Sequence, residues 1–321
     1  MMQPLLNDVI IAARSEQTEN IVSFELQRED GSALPAFSAG SHIDVVLPGE
    51  VIRQYSLWND PSETHRYCLG VLNEPNGRGG STAMHGMKQG AKLQISAPRN
   101  NFELDPVARR SMLFAGGIGI TPILSMAQAL HDQGAEFELH YCARAPERMA
   151  FRDVLEAAPF SDRVQFHFDN GPKAQKLDLD ILTKAPDAGT HLYVCGPTGF
   201  MDAVLGSAKE AWLAASLHRE YFSADAVESD GEDRAFKIQL NSTGDVLDVP
   251  ADKSIVEVLA EVGIEIPVSC EQGICGTCLT PVLQGTPDHK DLVLTEEEHE
   301  DNDQMTLCCS RALTDLLVLD L

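Results

Sequence analysis

The sequence predicts a multidomain chain of three differently built regions: an antiparallel β-barrel, an α/β region with a parallel sheet, and a C-terminal region organised by cysteines. Three observations carry this. Short segments alternate apolar and polar residues up to about residue 104, and buried strands then alternate with helices as far as about residue 224. Beyond them, Cys270, Cys275, Cys278 and Cys308 follow one another as C-x4-C-x2-C, 29 residues, C. The 321 residues are 43% hydrophobic, enough for two or three separate cores, and hold no apolar run long enough to span a membrane.

In the first region (1–104), NIVSFELQRE, SHIDVVLPGE, HRYCLGVLNE and AKLQIS have the period of two expected of strands, with turn residues between them. RQYSL, Arg53 to Leu57, lies in such a strand. Alone it leaves open whether Arg53 is merely exposed and Tyr55 merely packed. NGRGGSTAMHG, Asn76 to Gly86, adds a second feature: Gly79, Gly80 and Ser81 open a predicted helix, TAMHGM. Backbone N–H groups, the helix dipole and a hydroxyl then converge on a point that suits a phosphate. Pro98 and Pro106 bracket a non-periodic stretch, APRNNFELDPVARR, that marks the seam with the next region.

From 105 to 224 the pattern changes. SMLFA reads as a buried strand running into GGIGITP, Gly116 to Pro122, and the apolar helix ILSMAQALHDQ. EFELHYC, RVQFHF and THLYVC read as further strands, and in parallel sheets ligands bind outside the carboxyl ends of the strands. GGIGITP and CGPTGF, Cys195 to Phe200, therefore stand where a nucleotide would bind, although GGIGI departs from the GxGxxG fingerprint. Arg144 and Arg148, in YCARAPERMAF, follow the second strand, where a 2′-phosphate would be recognised.

SADAVESDGEDR is small, acidic and without large apolar residues, so a flexible linker is expected at 225–234, with the last domain at 235–321. The cysteine spacing matches the plant-type 2Fe-2S ligand pattern. Two irons need four soft thiolates; here three come from one tight loop, eased by Gly273 and Gly276, and the fourth from a distant segment. Structural zinc sites pair two C-x2-C knuckles, and this chain has one. The N-terminus, MMQPLLNDVIIAARSEQ, lacks the pattern of a signal peptide, so cytoplasmic location and reduced thiols are expected rather than disulfides. In LCCSRA, neighbours on an extended segment would point to opposite sides, and Cys308 is taken as the ligand over Cys309. Cys68, Cys142 and Cys195 read as small buried hydrophobes, with a functional case for Cys195 alone.

Charge narrows the partners. With 24 Lys and Arg against 49 Asp and Glu, the net charge of −25 argues against nucleic acid and suits a basic protein surface. From Asp233 onward there are 18 acidic and 5 basic residues, much of the excess in TEEEHEDND, Thr295 to Asp303. A solvated face is the default reading of that run, and a docking surface the alternative.

Together, RQYSL, GRGGS, AGGIGITP, YVCGP and CEQGICGTC…CCSRA resemble the phthalate dioxygenase reductase family over essentially the whole chain. The cysteine module is C-terminal, whereas relatives of the benzoate dioxygenase reductase type carry it at the N-terminus; this order favours FMN over FAD. The resemblance implies a barrel flavin domain, a nucleotide domain and an α+β plant-type ferredoxin domain. It implies that Arg53, Tyr55 and Ser56 hold FMN, that Leu57 lines the ring, and that Gly79, Gly80 and Ser81 meet its phosphate. Gly116, Gly117, Gly119 and Thr121 would meet NADH, with Arg144 near its ribose. Cys195, Gly196 and Pro197 would lie by the nicotinamide, Cys195 and Thr121 being the residues expected at hydride transfer. Phe222, in HREYF, falls where relatives place an aromatic near the flavin; packing at the end of the linker is its other explanation. The implied activity is electron transfer from NADH through FMN to the cluster and on to a Rieske non-haem iron oxygenase. The alternatives are a non-enzymatic sensing or assembly protein, or a reductase serving an oxygenase for quaternary amines or aryl sulfonates.

Overall fold

The computed structural model describes residues 7–49, 51–182, 184–222 and 233–321, and divides into two compact units, Met1–Glu220 and Tyr221–Leu321. The expected linker, apart from 233 and 234, lies outside the described residues.

The first unit opens with β1 (Asn7–Thr18), β2 (Ile21–Gln27), β3 (His42–Leu47), β4 (Val51–Ser56) and β5 (Tyr67–Leu72), followed by helix α1 (Gly80–Gly86) and β6 (Lys92–Ile95). They form one antiparallel sheet in the order β4-β3-β6-β1-β2-β5. A bridge between Leu57 and Leu69 joins the two edges and closes the barrel, leaving neither edge strand as a template for another chain. Alternate side chains point inward, so Ile11, Phe24, Leu26, Ile43, Val45, Leu57 and Leu69 are fully buried together. Each such side chain contributes roughly 1.5–3 kcal/mol.

Next come β7 (Arg110–Gly116), α2 (Ile120–Asp132), β8 (Glu136–Ala143), α3 (Arg152–Ala157), β9 (Val164–Phe168), β10 (Thr190–Cys195), α4 (Thr198–Ala208) and β11 (Leu217–Glu220). The five strands are all parallel, ordered β11-β10-β7-β8-β9. Helix α2 begins at Ile120, three residues before the predicted segment. Pro122 therefore sits in its first turn, where a missing N–H costs nothing. Barrel and parallel sheet share a core: Ile21, Ala39 and Phe102 cluster with α2, and Trp58 lies 4.9 Å from Phe151.

The second unit holds β12 (Phe236–Leu240), β13 (Val246–Val249), α5 (Ile255–Glu261), β14 (Leu279–Gln284), β15 (Pro287–Asp288), α6 (Glu296–Asp301), β16 (Gln304–Thr306), β17 (Arg311–Ala312) and β18 (Leu316–Leu319). Its main sheet runs β13-β12-β18-β14-β16, with β12 and β18 parallel, and β15 pairs with β17. Both helices are fixed by capping boxes, Ser254 with Glu257 and Thr295 with Glu298. Arg311, 6% exposed, donates through its two terminal nitrogens to the carbonyls of Lys253, Arg234 and Pro250 and lies 4.8 Å from the Phe236 ring centre, a buried cation that ties these segments together.

Candidate functional site: a nucleotide and flavin cleft and a cysteine cradle

Strand β7 enters the GGIGITP turn, and its neighbour β10 enters CGPTGF, with Ala115 opposite Cys195. The two turns interlock through glycines. A Cβ on Gly119 would fall 2.6 Å from Gly196 N and closer still to the Cys195 carbonyl, and one on Gly116 would fall 2.7 Å from the Phe200 ring and 3.0 Å from Pro197. Gly117 has φ +54, and its carbonyl accepts from the buried Tyr141 hydroxyl at 3.1 Å. Thr121 is 1% exposed, donates to the Ile118 carbonyl at 3.1 Å and packs on Gly70, so its hydroxyl holds the turn instead of facing a substrate. Cys195 is fully buried, and desolvation pushes its thiol well above the ordinary range, so it is neutral and without nucleophilic character.

On the barrel side, Arg53 lies along the face of Gly80, where a Cβ would overlap its side chain, and donates to the carbonyls of Ile52 at 2.7 Å and Arg78 at 2.8 Å. Gly79 caps α1 with φ +80 and no side-chain hydrogen bond, and Ser81 Oγ accepts from Glu74 N at 3.0 Å. One cation and one helix N-terminus therefore share a place, a juxtaposition that an anion relieves. Burial pushes the Tyr55 hydroxyl up to about 12, which keeps it a neutral donor. Leu57 departs from expectation: its side chain is in the barrel core and lines no open surface. Arg144 is exposed just after β8, while Arg148 and Glu147 line a 530 Å³ cleft with Thr18, Asn20 and Leu72.

One carboxylate joins the two halves and was not singled out from sequence. Glu220 ends β11 opposite Cys195, accepts from Ser56 Oγ at 3.4 Å and lies 3.9 Å from His42 Nδ1. Burial lifts its carboxyl to about 8, against the pull of the Ser56 hydroxyl. The signal was available, since an acidic residue at the carboxyl end of a parallel strand lies at the ligand edge. Phe222 is 38% exposed and belongs to the second unit.

In the second unit, Cys270, Cys275 and Cys278 are buried in one irregular loop shaped by Glu271 (φ +55), Gly273 (φ +70) and Gly276 (φ +67). Cys308 reaches hydrogen-bonding range of both Cys270 and Cys278. It does so from a turn, not the extended segment expected, with Ser310 N donating to the Thr306 carbonyl at 3.1 Å. Cys309 also lies within hydrogen-bonding range of Cys308, meets Thr306 Oγ1 at 3.2 Å, and stands on the side of the loop where a Gly273 Cβ would strike it. The four thiols also perturb one another: contact with Cys275 and Cys308 draws Cys270 down, and contact with Cys270 pushes Cys275 and Cys308 up. Four thiolates this close need compensating positive charge, which two ferric or ferrous ions supply. The N–H groups of Gln272 (3.3 Å to Cys270 Sγ) and Thr277 (3.5 Å to Cys275 Sγ) already point at sulfur.

Comparison with known proteins agrees with this geometry. Residues 113–205 match the oxidoreductase NAD-binding domain, and residues 238–313 the 2Fe-2S iron-sulfur cluster binding domain. The chain is 56% identical over 317 residues to the vanillate O-demethylase oxidoreductase of Pseudomonas putida, covering 98% of this chain and 99% of that protein. It is 38% identical over 313 residues to the phthalate dioxygenase reductase of Burkholderia cepacia, covering 97% and 96%. A solved phthalate dioxygenase reductase, described as a modular structure for electron transfer from pyridine nucleotides to 2Fe-2S, superposes with a TM-score of 0.73 at 38% identity over 98% of both chains. No helix among the described residues is long and apolar enough to cross a membrane. An oxidoreductase with a nucleotide cleft and a cysteine cradle in one chain, the protein belongs to the phthalate dioxygenase reductase family.

Proposed function

We propose that this chain is the reductase component of a Rieske-type oxygenase or demethylase system, taking electrons from NADH through FMN to its 2Fe-2S cluster and on to the oxygenase. The observation that carries this is the meeting of Ser56, Glu220 and Cys195, which brings the RxYS strand to the carboxyl edge of the nucleotide sheet. When bound, FMN would supply the conversion between the electron pair of a hydride and the single electrons that a 2Fe-2S cluster can take.

The protein's own groups orient and hold. Arg53 and the N–H groups at the start of α1 would neutralise the FMN phosphate, Tyr55 and Ser56 would offer neutral hydroxyls to the ring, and the glycines of GGIGITP would let the nucleotide approach the backbone. Cys195 walls the nicotinamide site and excludes water. Glu220, poised near neutrality, can hold or release a proton beside it. Cys270, Cys275, Cys278 and Cys308 hold the irons.

The acidic face at Thr295–Asp303 suits a basic docking patch on the oxygenase, and the reduced thiols a cytoplasmic setting. Anaerobic addition of NADH tests the reading: prompt bleaching of both flavin and cluster absorption is expected, and a cluster without flavin would point to sensing or assembly instead. kcat/KM for NADH and NADPH tests the nucleotide. Turnover with the co-encoded oxygenase should fall with ionic strength, and salt independence would remove the docking argument.

A further inference from the structure

The second unit contains a group of ligand-type side chains that electron transfer does not use. His289 follows β15, Asp291 lies two residues on, and His299 is on α6; their side chains are 9%, 0% and 28% exposed. His289 Nδ1 stands 3.6 Å from Asp291 Oδ1, and His299 Nε2 stands 3.3 Å from Asp291 Oδ2. One candidate ligand atom from each residue lies within 4.8 Å of the others. Both ring nitrogens of His289, and Asp291 Oδ1, are buried without a hydrogen bond of ordinary geometry.

We propose that His289, Asp291 and His299 form a binding site for one divalent transition-metal ion of the zinc type, separate from the four cysteines. Three arguments converge on it. Imidazole nitrogen and carboxylate oxygen are the donors such ions take, and a tetrahedral ion bound at about 2.0–2.2 Å holds its ligands about 3.4 Å apart, within the 4.8 Å that spans one ligand atom from each residue here. Buried polar atoms without partners are costly, and a metal would satisfy one His289 ring nitrogen together with Asp291 Oδ1. The partly exposed His299 gives an entry route and leaves a coordination position for water, with the Asn302 side chain also beside His289.

The carboxylate is already oriented. Asp291 Oδ2 accepts from Leu294 N at 2.9 Å, a supporting contact of the kind that fixes ligands. The adjacent Leu292 N donates to the Gly273 carbonyl at 3.0 Å, so a metal here would tie α6 to the cysteine loop. At Asp105, His191 and His218 the two rings hydrogen-bond to each other at 2.9 Å; here the rings of His289 and His299 stack at 4.4 Å and His299 Nε2 bonds to Asp291 Oδ2 at 3.3 Å, so a metal would take the place of that bond and of its proton.

The test uses the full-length protein with flavin and cluster bound, freed of loose metal and titrated with zinc chloride while cluster absorption is monitored. Elemental analysis should find one zinc per chain with the cluster retained, and calorimetry should show binding at least about tenfold weaker in the His289→Gln/His299→Gln double variant. His299→Gln alone, at the most exposed ligand, should show the same direction if the double variant folds poorly. Zinc should also lengthen the half-life of the cluster on heating in the parent but not in the variants. Equal zinc affinity in parent and variants, or no uptake by the cluster-bound parent, would overturn the proposal.

Discussion

Replacing Gly119 with alanine tests whether the two nucleotide turns interlock as described. The residue has φ −62 and ψ −4, ordinary right-handed helix, so alanine meets no backbone objection and the effect must be steric. The added methyl would lie 2.6 Å from Gly196 N, where 3.4 Å begins ordinary contact, and nearer still to the Cys195 carbonyl. Neither is a flexible side-chain end. The nearest contact, the Cys195 carbonyl oxygen, sets the shift, so the end of β10 or the start of α2 must move by about 1.1 Å. An extra methylene in a packed core costs about 1–3 kcal/mol, and with backbone on the receiving side the upper end, about 3 kcal/mol, is expected. In a unit of 220 residues each kcal/mol lowers Tm by about 2–4 °C, so the flavin-release transition should fall by about 6–12 °C. KM for NADH should rise with it, because both turns border the cleft. Thermal denaturation followed by flavin fluorescence, with NADH–ferricyanide kinetics, measures both. A Tm within about 2 °C of the parent and an unchanged KM would refute the reasoning.

Gly80→Ala should act differently, since the new methyl meets the movable Arg53 side chain: FMN affinity should drop while the flavin-free protein melts near the parent, as fluorescence titration and calorimetry would reveal. Glu220 gives a pH prediction. Its carboxyl is raised from 4.5 to about 8, so its contribution to stability is complete below 4.5 and lost as pH rises through about 8; Glu220→Gln should flatten that decline, and parallel Tm–pH curves would count against it. Cys308→Ser should lose the cluster's visible spectrum yet keep NADH–ferricyanide activity, whereas Cys309→Ser should keep both; the reverse pattern would exchange their roles. Cys195→Ala should slow NADH-dependent flavin reduction in stopped flow with both cofactors bound, and loss of flavin on purification would contradict its role as a wall.

Much of this was legible because the chemistry leaves periodic or spaced traces. Alternation in NIVSFELQRE and SHIDVVLPGE marked barrel strands, and GGIGITP and CGPTGF marked the ends of two strands that prove adjacent. The alternation rule did not single out β1, the 12-residue strand at Asn7–Thr18, because its burial pattern is ragged and its pairing with β2 is twice shifted in register. Glu220 stayed hidden for another reason: its significance comes from Ser56, 164 residues away, and no local pattern encodes that contact. Leu57 and Thr121 show the opposite limit. A motif names neighbours of a site without saying which side chains face inward, and both of these are spent on packing or on the turn.

In the cysteine-bearing unit, β18 lies between β12 and β14, and Leu240 is opposite Leu319. A sheet whose interior strand is its latest in sequence cannot close until that strand is made. Pairing over so long a separation is also slow, because the entropy of loop closure must be met before the contacts form. During synthesis Cys270, Cys275 and Cys278 therefore emerge well before Cys308, with no scaffold to hold their loop. The sheet that frames the cysteine loop waits for residues 316–319, made long after the first three of its four candidate ligands.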